Sequence, residues 1–275
     1  MFVINKIIKP DDGLVGIVVT VLVIGLIIVV TAIVQSVYVP QWLEQKEAEH
    51  MHMISYQFAQ LKQSLDILSA IEQENAISIY VTLGTTEIPI FGTGRTYDDL
   101  NLLIDECIVE VSNATNSYSF PLGTAIFSSK NSYFVDQSYV YEGGILALSQ
   151  SGASILNGKP FISVSNNTNL SFTIINISSM EGKKVAGGYG TYSIYMEYLD
   201  SNYYTIDSFK YINITTNYQN AWRAFFNSTT LKYSLLTYEI KDTDYGISIE
   251  FSDFLGNLML KVSEISVQIA PGWIE

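Results

Sequence analysis

The sequence predicts a mainly β protein carried on an N-terminal transmembrane helix and an amphipathic stalk helix, followed by an antiparallel β-sandwich region of one or two sandwiches. Three observations predict it. Leu14 to Val34 is an apolar run broken only by Gly16, Thr20, Gly25 and Thr31. Met51, Ile54, Phe58, Leu61, Leu65 and Leu68 then recur at spacings of three and four, the period of one helix face. From Ala76 onward, short alternating segments are separated by Gly, Asn, Ser and Asp clusters, and the 19 Tyr and 13 Phe suit pleated surfaces.

The first 13 residues form a short tail or leader, and the span runs over residues 14–39. At about 1.5 Å per residue the apolar run is roughly 31 Å long, the thickness of a hydrocarbon core. A secretory signal has a shorter apolar region and a small-residue cleavage site, so this run is read as an anchor. Lys6 and Lys9 precede it, whereas Glu44, Glu47 and Glu49 against Lys46 follow it. The positive-inside rule therefore predicts a single-pass protein of the cell membrane with a cytoplasmic N-terminus and an extracellular C-terminal region. Six Asn-x-Ser/Thr sequons, at Asn113, Asn166, Asn169, Asn176, Asn213 and Asn227, all lie beyond the span and are the glycosylation candidates.

Residues 40–75 hold the stalk. Pro40 lacks an amide hydrogen and is expected to end or kink the span. Trp42 follows at the position of a membrane-interface anchor, since an indole favours the headgroup layer. The six-residue stripe marks the stalk's packing face, directed at the protein's own β region or at a second copy. Glu47-x-x-His50 and Glu49-x-x-His52 have the spacing of carboxylate-bridged di-iron helices, but no second helical pair exists to complete such a site. The expected reading is a polar collar at the membrane surface, with His50 reaching Glu47 across one turn.

Residues 76–275 are the β region. Ile77, Ile79, Val81 and Leu83 share one face of a first strand. Further strands are expected at 107–111, 138–141, 145–149, 161–164, 170–177, 191–199, 208–215, 231–240, 246–251 and 258–269. Trp222, Phe225 and Phe226 line one face of a short helix over 218–226, expected to plug the end of a sandwich. A boundary is expected near 157–160, at Asn157-Gly158-Lys159-Pro160. Gly187-Gly188-Tyr189-Gly190 reads as a hairpin connection, and Glu142-Gly143-Gly144 as a bend with Glu142 a turn residue.

Chemistry is sparse. A net charge of −13 repels a phosphate backbone and argues against nucleic-acid partners. One cysteine, Cys107, allows no internal disulfide, and two histidines supply little for zinc. The acids Asp98, Asp99, Asp105, Glu106, Asp242 and Asp244 are the remaining material for general acid and base, and spacing brings no two of them together. No catalytic residue, cofactor or metal site is predicted.

Two resemblances add to this reading. Lys9-Pro10-Asp11-Asp12-Gly13-Leu14-Val15-Gly16 before an apolar helix resembles the N-terminus of archaeal type IV pilin-like precursors. That resemblance implies cleavage between Gly13 and Leu14, although Val18 stands where many pilins carry a glutamate. Val39-Pro40-Gln41-Trp42, Glu47-Ala48-Glu49-His50, Leu83-Gly84 and Tyr139-Val140-Tyr141-Glu142-Gly143-Gly144 resemble uncharacterised membrane-anchored archaeal surface proteins. The expectation is a noncatalytic membrane-anchored surface protein with a β-rich head for structural or adhesive contacts. Its partners would be the lipid bilayer, further copies of itself, other envelope proteins or glycans. The alternatives are a pilin-like filament subunit and a membrane-tethered glycan hydrolase.

Overall fold

The computed structural model describes residues 10–85, 96–165, 169–179, 182–228, 237–252 and 256–270. A helix α1 (Pro10–Ile33), a π-helical turn (Val34–Tyr38) and a helix α2 (Val39–Ile71) run on as one rod. From Leu14 to Ile71 it has 58 residues, with a stretch long and apolar enough to cross a membrane. At 1.5 Å per residue its length is about 87 Å. Pro40 does not end it. The proline falls in the first turn of α2, and the Val39 amide reaches back to the Val34 carbonyl, so the i→i−5 turn absorbs the missing i→i−4 bond.

The two halves of the rod differ in burial. From Leu14 to Ile33 the side chains face outward along the whole helix, while Met51, Ile54, Phe58, Leu61, Leu65 and Leu68 are at most 2% exposed. Burial begins at Val39 and Leu43. The stalk is therefore a core element of the head and not a rod that lifts the head away from the span. It stops at Glu72, whose left-handed conformation (φ 54°) turns the chain while its amide bonds to the Leu68 carbonyl.

Fourteen strands follow among the described residues: β1 (Ala76–Leu83), β2 (Asp98–Asn113), β3 (Ser117–Ser128), β4 (Ser138–Glu142), β5 (Ile145–Gln150), β6 (Ala153–Gly158), β7 (Ile162–Ser165), β8 (Asn169–Ser179), β9 (Val185–Gly188), β10 (Gly190–Asp207), β11 (Phe209–Thr215), β12 (Tyr238–Thr243), β13 (Gly246–Phe251) and β14 (Asn257–Ala270). A short helix α3 (Gln219–Asn227) lies between β11 and β12. One sheet has the order β1-β10-β14-β8-β7. The other has β12-β13-β11-β2-β3-β4-β5-β6, with β9 added beside β2.

Two cores hold the sheets together. The α2 stripe packs with Val81, Ile194 and Val267 of the first sheet and with Phe127, Tyr139 and Tyr141 of the second. Trp222, Phe225 and Phe226 of α3 pack with Phe172, Ile212 and Phe251 in the other. Val140 belongs to the α3 core and its neighbours Tyr139 and Tyr141 to the α2 core, so β4 is covered on both faces.

Several sequence expectations need correction here. The ladders are antiparallel except that β14 runs parallel to β8; the intervening strands form the crossover that a parallel pair requires. Gly187 to Gly190 is not a hairpin, because β9 pairs with β2 in one sheet while β10 pairs with β1 and β14 in the other. Asn157 and Gly158 close β6 and the chain then crosses to β7 in the first sheet, so each sheet takes strands from before and after residues 157–160. Strands β2 and β10 are longer than expected because each continues through a bulge, at Leu103/Cys107 and Tyr198/Asp200. The irregularity adds two residues to β2 and one to β10 relative to the paired strand, and the unpaired residues break the pattern read from sequence. Strand β3 carries Pro121, tolerated because β4 pairs only from Thr124 onward and leaves one side of that position open. Of the strand expected over 231–240, residues 231–236 lie outside the described residues.

Candidate functional site

The polar residues that converge most tightly sit where α2 enters the head. Val39, Leu43, Glu47, Met51, Ile54 and Phe58 succeed one another at intervals of three and four, which places Glu47 on the apolar stripe. Its carboxylate is buried and accepts three backbone N–H bonds from the loop after β3, from Ser132 (3.0 Å), Tyr133 (2.8 Å) and Phe134 (2.6 Å). Successive amides converging on one carboxylate form an anion nest, filled here by the chain's own glutamate. His50 lies one turn further along. Its Nε2 is 2.7 Å from Asp98 Oδ2 at the start of β2, and both side chains are buried. Asp98 also accepts the amides of Gly84 (2.7 Å) and Lys130 (3.3 Å).

This geometry corrects the polar collar. Glu47 and His50 do not pair with each other; each joins the helix to a different part of the head. Asp98 is not a solvated loop acid but a buried acceptor. Glu49 remains outside, bonded to Lys46 and Gln45, and His52 is exposed. Among the described residues no three His, Cys, Asp or Glu side chains gather to hold a metal. Gly84 is required at its position: its φ is 68°, and a Cβ there would stand 2.4 Å from the Thr96 carbonyl.

A second polar constellation lies in the α3 core. Glu142 ends β4 before a two-residue turn at Gly143 and Gly144, both with positive φ as a type I′ hairpin needs. The hairpin was legible, whereas the burial of Glu142 was not. Its carboxylate accepts Trp222 Nε1–H (2.7 Å) and the Thr216 hydroxyl. Burial lifts its pKa to about 7, against the smaller opposing effect of those two hydrogen bonds. Burial, and then the charge of Glu142, push the Cys107 thiol up. Tyr218 is raised to about 12 by burial and then by the charges of Glu142 and Glu106. An acid poised near neutrality is a feature of catalytic sites. Glu142 is only 1% exposed, enclosed within the α3 core.

A cavity of about 470 Å³ lies between α2 and the sheets, with walls that include Asp66, Ser69, Phe161, Ile175 and Lys261. Its charged groups serve internal contacts. Lys62 pairs with Asp66, whose pKa burial raises and Lys62 partly restores, and Lys261 binds the Ser69 carbonyl and Glu72.

The other sequence candidates are dispersed. Trp42 lies half-exposed beside Tyr38, ring centroids 6.2 Å apart, just below the first buried turn of α2. Asp99 pairs with Lys130, Asp242 with Arg223, and Glu106 accepts from Asn217, in three separate places. Asp105 stands in the β2 bulge at φ 57°. Among the sequons, Asn113 caps the β2–β3 turn, Asn169 accepts the Asn257 amide, Asn176 accepts the Gly123 amide and Asn213 accepts the Ser248 hydroxyl. Asn227 is exposed at the end of α3. Asn166 lies outside the described residues. No family model matches the chain, and no curated protein or solved structure is significantly similar to it.

Proposed function

We propose that this chain is a noncatalytic membrane-anchored surface protein, its β-rich head held outside the cell for structural or adhesive contacts. One observation carries the reading. A single helix is exposed and apolar over Leu14 to Ile33, yet fully buried along its stripe from Met51 to Leu68. An apolar surface of that length is stable only in lipid or against other apolar helices. Flanking charge supports the outward orientation of the head. The test is fractionation of the full chain, followed by protease treatment of intact cells. Retention in carbonate-washed membranes with digestion beyond about Gln41 is expected, and protection of the head would overturn the topology.

A second reading, a filament subunit of type IV pilin-like architecture, is favoured by the unbroken passage of the helix from Leu14 into the head core. The resemblance at Lys9 to Gly16 supports it too. Mass determination of the native N-terminus separates the two, since a chain starting at Leu14 signifies processing for assembly and an uncut leader signifies a permanent anchor.

A further inference from the structure

We infer that the base of the head is itself a lipid-contacting surface, an aromatic ring that rests on the headgroup layer around the anchor helix. The inference builds on the membrane-anchor reading and goes further, since a tethered head could equally stand clear of the bilayer.

Three observations lead to it. The first is that there is no free stalk: Val37, Tyr38 and Trp42 are half-exposed while Val39 and Leu43 are already buried, so the head begins where the apolar span ends. The second is the level of the loops tied to α2. Glu47 is five residues beyond Trp42 and His50 eight, which at 1.5 Å per residue is about 8 and about 12 Å along the helix. Glu47 holds the amides of Tyr133 and Phe134 at its level. His50 holds Asp98, and through it Gly84, at its own. The third is what these loops expose. Tyr133 and Val135 are 48% and 44% exposed beside Glu47, and Tyr97 and Tyr189 are 53% and 54% exposed beside Asp98 and Gly84, their rings 6.0 Å apart and edge-on. Together with Tyr38 and Trp42 they bring amphipathic rings from four separate chain segments to one end of the molecule. Tyrosine and tryptophan partition to the headgroup level, where the ring is shielded and the polar atom stays wet.

The charges at this end favour neutral over anionic lipid. Lys46 pairs with Glu49 and Lys130 with Asp99, while Glu44 is exposed, so the described residues at this end form no cationic cluster of the kind that binds acidic headgroups. The hydrogen bonds of Glu47 and Asp98 then have a purpose. They set the height and rotation of the ring relative to the span.

The test uses the full chain in phosphatidylcholine vesicles, with single fluorophores attached at introduced cysteines. Cys107 is fully buried, and burial raises its thiol pKa, so it does not label in the folded protein. The variants are Val23→Cys in the span, Tyr97→Cys and Tyr133→Cys at the base, and Ala114→Cys in the exposed β2–β3 turn. That turn lies fifteen or so residues of strand beyond Asp98, about 50 Å. Nitroxides on the acyl chain should quench Val23→Cys. Nitroxides on the headgroup should quench both base labels severalfold more than Ala114→Cys, unchanged when phosphatidylserine is added. If the span label is quenched while either base label behaves like Ala114→Cys, the inference fails and the anchor reading stands. If quenching at the base requires phosphatidylserine, the assignment to neutral lipid fails. An unquenched span label overturns the anchor reading and this inference with it.

Discussion

Substitution of Glu142 by glutamine should make the protein more stable at pH 8 and leave it nearly unchanged at pH 5. In the fold the carboxyl is buried and its pKa stands at about 7, against an ordinary value of 4.5. A raised folded-state pKa means that the native state holds the proton more tightly than the unfolded chain. The stabilisation is complete below the unfolded value and is lost as pH rises through about 7. The interval between the two values corresponds to about 3 kcal/mol, as an order of magnitude. Glutamine keeps a carbonyl to accept Trp222 Nε1–H and the Thr216 hydroxyl and never ionises. The amide hydrogens it adds have a local acceptor: Thr124 faces Glu142 across the β3–β4 ladder, and its buried hydroxyl has no partner. Denaturant unfolding of the full chain in detergent, parent beside variant from pH 5 to pH 8, reads the difference directly. The stability advantage of the variant should grow with pH, to about 3 kcal/mol. A difference that does not change with pH would refute the burial of an ionisable carboxyl at this site.

Glu47→Ala should destabilise the head by about 3 kcal/mol, since it strands three amides in a part-buried loop at about 1 kcal/mol or more each. Hydrogen exchange at Ser132, Tyr133 and Phe134 should accelerate selectively, and unchanged protection there would show that the loop is held by other means. Leu61→Asp places a charge in the α2 core, where Leu61 is fully buried, and should cost about 4 kcal/mol or prevent folding; an unaltered melting temperature would exclude that packing. Peptide mass mapping of native material should find any N-linked glycan at the exposed Asn227 and none at Asn176 or Asn213, which are half-buried within strands β8 and β11. A glycan at either of those two would contradict that packing.

How much of this architecture can be read from the sequence depends on whether a residue's role is set by its neighbours or by a distant partner. The span and the α2 stripe are local: Leu14 to Val34 lacks polar interruption, and Met51 to Leu68 keeps one helical phase, so composition and period suffice. Strands such as β13, with its alternating Ile247 and Ile249, are equally local. Strands β3 and β6 are not, because Pro121 and Gly123 in one and Asn157 and Gly158 in the other are turn formers that only their ladder partners keep extended. The two long strands fail for another reason. Their irregularities at Leu103/Cys107 and Tyr198/Asp200 add two residues and one residue to the strand relative to its partner, and a period-2 reading stops at the unpaired, exposed residues there.

The acids divide in the same way, and there the missing information is topological. Glu47, Asp98 and Glu142 are bonded to groups 85 to 87, 14 to 48 and 74 to 80 residues away, and no local rule distinguishes Asp98 or Glu142 from the exposed Asp105 or Asp244. One signal was available for Glu47. Extending the stripe backward from Met51 by whole turns reaches Glu47, then Leu43, then Val39, so the glutamate falls on the face that the apolar residues mark as buried. A charge on a buried face needs donors, and the nearest way to supply them is a loop whose free amides close over it. The same step shows that the apolar stripe reaches Val39 without a break, leaving no exposed turn between span and head. The phase of one glutamate, followed through, implies both the capture of the 132–134 loop and the start of the head directly after the apolar stretch.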